Sequence, residues 1–164
     1  DDKIVNIVLN TVATGTEFSK EDSIDINDDG QFDFTLFVGG EVNGTYSNGY
    51  CSAIGKNPLN QIISSDITVG AYSLEVATAK NSGDKINASS VDWENKSYFS
   101  YKENSSSTGS AGAGDKLYGF KFKAGTNTHY GWMKVNVASD YKTLTVKELA
   151  FNKTPDAEIE VGAK

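Results

Sequence analysis

The last third of the chain constrains its fold most. Leu117 to Lys123 reads LYGFKFK, with Tyr118, Phe120 and Phe122 at alternate positions and Lys121 and Lys123 between them. His129 to Ala138 reads HYGWMKVNVA, with Met133, Val135 and Val137 alternating with Trp132, Lys134 and Asn136. Tyr141 to Phe151 (YKTLTVKELAF) supplies a third segment of strand-forming residues. A period of two sends side chains to opposite faces of a strand. Gly125, within Ala124 to Thr128, suits a hairpin loop, so the three segments predict an antiparallel meander. Pro155 ends it, and Ile159 and Val161 predict a short edge strand.

Similar segments stand upstream. Ile4 to Val12 (IVNIVLNTV) is β-branched and apolar, which predicts a buried first strand. Phe32 to Val38 alternates and is punctuated by Gly39-Gly40, and Asn43-Gly44 and Asn48-Gly49 suit turns with positive φ. Tyr50 to Ile54 and Ile67 to Ala79 read as further strands. Asn57-Pro58, followed by Leu59, Ile62 and Ile63, predicts one helical turn with Asn57 as its cap. Between Lys80 and Gly114 the pattern weakens, and SSSTGSAGAG (Ser105 to Gly114) predicts a mobile surface loop. No heptad, internal repeat or long amphipathic helix is present. The expectation is an all-β chain: a single antiparallel β-sandwich, with a jelly-roll-like order among its forms, as one domain over residues 1–164.

Composition removes several functions. The basic residues number 15 against 22 acidic ones, giving a net charge of −7, and every basic residue is Lys. Nucleic-acid binding draws on Arg forks and a positive face, so no nucleic-acid partner is expected. One His and one Cys cannot build a His-rich metal site or a disulfide framework. No 18-residue apolar run occurs, so no membrane insertion is expected. The opening Asp1-Asp2-Lys3 lacks an export signal's basic start and apolar stretch, as a mature exported chain would after its signal is removed.

The most specific motif is Asp25-Ile26-Asn27-Asp28-Asp29-Gly30-Gln31-Phe32-Asp33. Side-chain oxygens fall at loop positions occupied by Asp25, Asn27, Asp29 and Asp33, and the Gln31 carbonyl takes the intervening backbone position. Gly30 stands where such a loop turns sharply. Oxygens at alternate residues converge on one centre and suit Ca²⁺, a hard cation with six to eight oxygen ligands. Leu36 replaces the bidentate Glu of the helix–loop–helix form, and both flanks read as strands, so a calcium-binding hairpin loop is expected. Asp-Gly alone also makes an ordinary polar turn, but a turn does not require Asp at both ends of the motif. The expected site is of the weak extracellular kind, with Kd on the order of 10⁻⁴ to 10⁻³ M.

The phrases SIDINDDGQFDFTLFV and KLYGFKFKAGTNTHYGWMKVNVASDYKTLTVKELAFNKTP together resemble a recurrent β-rich domain of exported and cell-surface Gram-negative bacterial proteins. The resemblance covers both ends of the chain, about half of it. It implies export, a β-rich fold and a non-enzymatic domain of unknown role. The loop itself is similar to the DxDxDGxxD loops of integrin-type propeller repeats, a likeness that nominates Asp33 as a direct calcium ligand.

No catalytic residues are assigned. His129 has no G-x-S-x-G elbow to serve, and Cys51 has no neighbour that would activate it. Glu41, Glu75, Glu94, Glu103 and Glu148 are the glutamates from which a glycosidase pair would be drawn. Trp93, Tyr101 and Trp132 are the aromatics that could stack on sugar rings, with packing in the core as the competing role. The leading expectation is a secreted or cell-surface calcium-binding domain that binds a glycan or another surface protein. A carbohydrate-active enzyme or its accessory module, and a structural surface or matrix subunit, are the alternatives. The sequence leaves the oligomeric state open.

Overall fold

The alternating segments are strands in the structure, a computed structural model that describes residues 7–10 and 17–163. In chain order they are β1 (Ile7–Asn10), β2 (Glu17–Ile24), β3 (Phe34–Asn43), β4 (Tyr46–Gly55), β5 (Gln61–Val69), β6 (Tyr72–Ala77), β7 (Ala79–Lys80) and β8 (Lys85–Ile86). There follow β9 (Trp93–Glu94), β10 (Lys96–Glu103), β11 (Ser106–Gly109), β12 (Lys116–Ala124), β13 (Asn127–Val137), β14 (Thr143–Phe151) and β15 (Ile159–Glu160). No helix occurs among the described residues, so the chain is all-β. Of the first expected strand, residues 7–10 form β1; the rest of Ile4 to Val12 lies outside the described residues.

Thirteen strands bond into one sheet, in the order β1-β14-β13-β12-β5-β6-β10-β4-β3-β2, with β11, β7 and β9 attached at its sides. The β6–β10 pair is parallel and the others are antiparallel. The sheet curls so that its two halves face each other across the main core. Phe34, Leu36, Val38, Cys51, Ala53 and Phe99 meet Phe120, Phe122, Met133, Val135, Leu144 and Leu149 there, all at 0–1% exposure. The facing halves are not two separate sheets, because β5 bonds to β12 through Gln61 and Ile62 and to β6 from Ser64 to Val69.

Sequence neighbours become spatial neighbours because the turns are short. Asn43 pairs with Tyr46, Val69 with Tyr72 and Ala124 with Asn127, leaving two residues in each turn. Each turn opens on a glycine at positive φ: Gly44 (60°), Gly70 (58°) and Gly125 (62°). The result is a meander order in β2–β3–β4 and β12–β13–β14, not the interleaved order of a jelly roll.

Three local expectations are corrected. Asn57–Asn60 forms a turn, with Asn60 N donating to Asn57 O at 2.9 Å, and not a helical turn. Leu59 there is 51% exposed, while Ile62 and Ile63 alternate along β5, each into a different core. Ile67 to Ala79 breaks at Gly70 into the two arms of a hairpin. The Ser/Gly-rich segment begins as β11, paired to β10. Hydroxyls then tie it inward: Tyr118 Oη donates to Ser110 Oγ at 2.9 Å, and Ser110 N donates to Ser100 Oγ at 3.0 Å.

A second, smaller core covers the outer face of β13. It joins Ile63, Ile86, Tyr130, Trp132, Ala150 and Val161, beneath the two-stranded ribbon of β8 and β15. Trp132 Nε1 donates to the Ala163 carbonyl at 3.0 Å, which fastens the last described turn over this core.

Phe120 is fully buried between Phe34 and Phe122. Phe120→Ala should lower unfolding stability by about 3–5 kcal/mol, read from urea denaturation. A loss below about 1 kcal/mol would mean this core is not packed as described.

Candidate functional site

The motif lies between β2 and β3, and the core fixes its base. Ile26 is 1% exposed and enters the main core. Asp33 is 5% exposed; its Oδ2 accepts Ile26 N at 2.8 Å, and its own N donates to Ile24 O at 2.7 Å. At the tip, Asp25 Oδ2 accepts Gly30 N at 2.8 Å and Asp25 Oδ1 accepts Asp29 N at 3.2 Å. Asp29 Oδ1 accepts Gln31 N at 2.9 Å, and Asn27 Nδ2 donates to Asp29 Oδ2 at 3.0 Å. Asp28 (φ 59°) and Gly30 (φ 86°) adopt left-handed backbone, which reverses the chain around these oxygens.

Asp25, Asn27, Asp29 and Gln31 thus share one hydrogen-bonded tip, and Asp33 lies at its base. The donor types suit a hard cation. The carboxylates are wrapped on the loop's own amides, and among the described residues no three Asp, Glu, His or Cys side chains are gathered closely enough to hold a metal. A carboxylate oxygen has two acceptor positions, so an amide bond to it does not exclude a cation.

Two asparagines brace the loop from behind. Asn60, 2% exposed, donates through Nδ2 to Asp33 O at 2.9 Å and accepts Lys123 N on Oδ1 at 2.9 Å. Asn95 Nδ2 lies within 2.9–3.1 Å of the Gly55, Asn57 and Asn60 carbonyls. The loop, the β4–β5 turn and β12 are thereby tied together. A cleft of about 380 Å³ opens beside them, with Asp29, Phe32, Lys56, Pro58 and Lys123 in its walls. Sequence reading missed both asparagines, because Asn is frequent in this chain's turns and nothing local marks these two.

The three nominated aromatics do not form one strip. Trp132 is 1% exposed in the second core, so a ligand cannot stack on it. Trp93 packs on the same side: it lies 6.2 Å from Tyr130, carries Lys121 Nζ 4.6 Å over its ring, and donates to Ser90 O at 2.7 Å. Tyr101 stands apart, on β10, beside Tyr98 and Tyr72. The Tyr46/Tyr50 spacing was the available signal for this tyrosine group; Tyr98 and Tyr101, three positions apart, share its face only because the register shifts between Tyr98 and Ser100.

The reactive groups have structural surroundings. His129 is 7% exposed, stacked on Phe122 at 5.4 Å, with Nδ1 2.9 Å from Asn152 O. Burial pushes the Cys51 thiol up to about 12, with Asp140 adding to the shift. Glu148 pairs with Lys134 at 2.8 Å. Glu75 differs, since burial and then Glu94, Asp66 and Asp92 raise its pKa.

No protein-family model matches the chain, and no curated protein or solved structure matches it.

A thiol titrating near 12 is protonated at neutral pH. Native protein should therefore react with a thiol-specific disulfide reagent only after denaturant is added; fast native labelling would contradict the buried position. Asn60→Ala should cost about 1–3 kcal/mol for each partner it strands, measured by thermal or urea unfolding.

Proposed function

We propose that this chain is a non-enzymatic calcium-binding domain of an exported or cell-surface protein, and that it acts by binding a glycan or another surface protein. The observation that carries this reading is the 25–33 loop. Oxygen-bearing residues recur at every second position, the tip turns at Gly30, and the last carboxylate is held at the base by Ile26 N. Asp25, Asn27, Asp29 and Asp33 would offer side-chain oxygens, and Gln31 its carbonyl. The ion would supply positive charge between carboxylates and fasten the β2–β3 corner. A site of this weak class fills where calcium is millimolar, which favours the cell exterior.

The calcium reading is tested by thermal unfolding in 10 mM Ca²⁺ and in chelator. With Kd near 10⁻⁴ M the native state gains about 2.7 kcal/mol, and Tm should rise by about 5–10 °C. Asp25→Ala should remove most of that rise. A midpoint indifferent to calcium in both proteins would refute the reading.

A further inference from the structure

The outer face of β3, β4, β10 and β6 carries a patch the calcium loop does not use. Strand register sets its rows. Gly39, Tyr50 and Tyr101 lie side by side across three strands, and Glu41, Asn48 and Glu103 form the next row. Tyr46 follows Asn48 on the same face of β4, and β6 adds Tyr72, which is 50% exposed. The rings meet edge to face: Tyr50 and Tyr98 at 6.3 Å, Tyr98 and Tyr101 at 5.6 Å, Tyr101 and Tyr72 at 6.4 Å. Tyr50 lies across Gly39, where a Cβ would be 2.4 Å from its hydroxyl oxygen, so the glycine lets the ring lie flat on the sheet. The Glu103 carboxylate reaches Gly70 at the tip of the β5–β6 hairpin, next to Tyr72.

Each component attracts a cation. Tyrosine faces are electron-rich, and an ammonium or guanidinium over them is stabilised. Lys96 Nζ already sits 5.1 Å over the Tyr98 ring at the opposite end of the patch. Glu41 and Glu103 place carboxylates in the row beside Tyr50 and Tyr101. Burial and the nearby Glu103 push the Tyr101 hydroxyl up to about 12, so it remains a neutral donor.

We propose that the patch formed by Tyr46, Tyr72, Tyr98 and Tyr101, with Glu41 and Glu103 at its rim, docks a lysine- or arginine-bearing segment of a partner protein. Charge complementarity selects this occupant. A second copy of this chain, at net −7 and without arginine, is a poorer match. The inference rests on the binding-domain reading but not on calcium.

The test uses the whole chain, a fluorescent hexalysine peptide, its fully acetylated form, and a neutral six-unit glucan. Saturable binding of hexalysine that weakens with salt is expected, with no binding of the acetylated peptide. Tyr72→Ser and Glu103→Gln should each weaken it about tenfold. Glu160→Gln, the same charge change on the β15 ribbon, should leave it unchanged. Tyr72 is 50% exposed, Glu103 half-buried and Glu160 exposed, and circular dichroism checks that each variant folds. Equal losses in Glu103→Gln and Glu160→Gln would reduce the binding to net charge and overturn the proposal. Glucan binding lost in Tyr72→Ser, with no hexalysine binding, would overturn it while sparing the binding-domain reading. Failure of both probes would count against both.

Discussion

Backbone bonding along β5 is the constraint on which the rest of the architecture depends. Gln61 and Ile62 complete the ladder with β12, and the strand then carries on to pair with β6. Its alternation also divides the apolar interior: Ile62 enters the main core and Ile63 the smaller one. One strand therefore holds the two halves of the sheet at a fixed separation and supplies both interiors. The cores can close only in the register β5 sets, because a slip of one residue would exchange the two isoleucines.

Strand existence was legible where lysines alternate with aromatic residues. Tyr118, Phe120 and Phe122 against Lys121 and Lys123 point inward and outward as their alternation implies. The pattern was misleading where burial is carried by hydroxyls. Ser100 and Ser110 lie in the interior, satisfied by each other and by Tyr118, so a stretch with a loop's composition starts as a strand. It was also silent about which apolar residue faces which core. Trp132 alternates correctly off the main core, yet the ribbon of β8 and β15 covers it, a long-range contact that no local spacing announces.

The candidate loop was legible as a motif and not as a bonded object. Spacing grouped Asp25, Asn27, Asp29, Gln31 and Asp33; it did not distinguish the tip from the base. That distinction comes from Ile26, which buries itself and draws the Asp33 carboxylate onto its amide. Asn60 and Asn95 extend the arrangement to the β4–β5 turn and to β12. The loop is thus bonded, through Asn60 and Asn95, to segments that are distant in sequence.

Both tryptophans of the chain, Trp93 and Trp132, belong to the second core, and none lies in the first. Intrinsic indole emission is consequently a one-sided gauge. It reports whether the C-terminal ribbon is seated, since Trp132 is bonded to Ala163, and it is blind to loosening confined to the phenylalanine-rich interior. The tyrosine patch occupies a separate sheet face. Its five rings share the tyrosine signal with Tyr118, Tyr130 and Tyr141, which are buried elsewhere, so the indole signal alone is specific to one region.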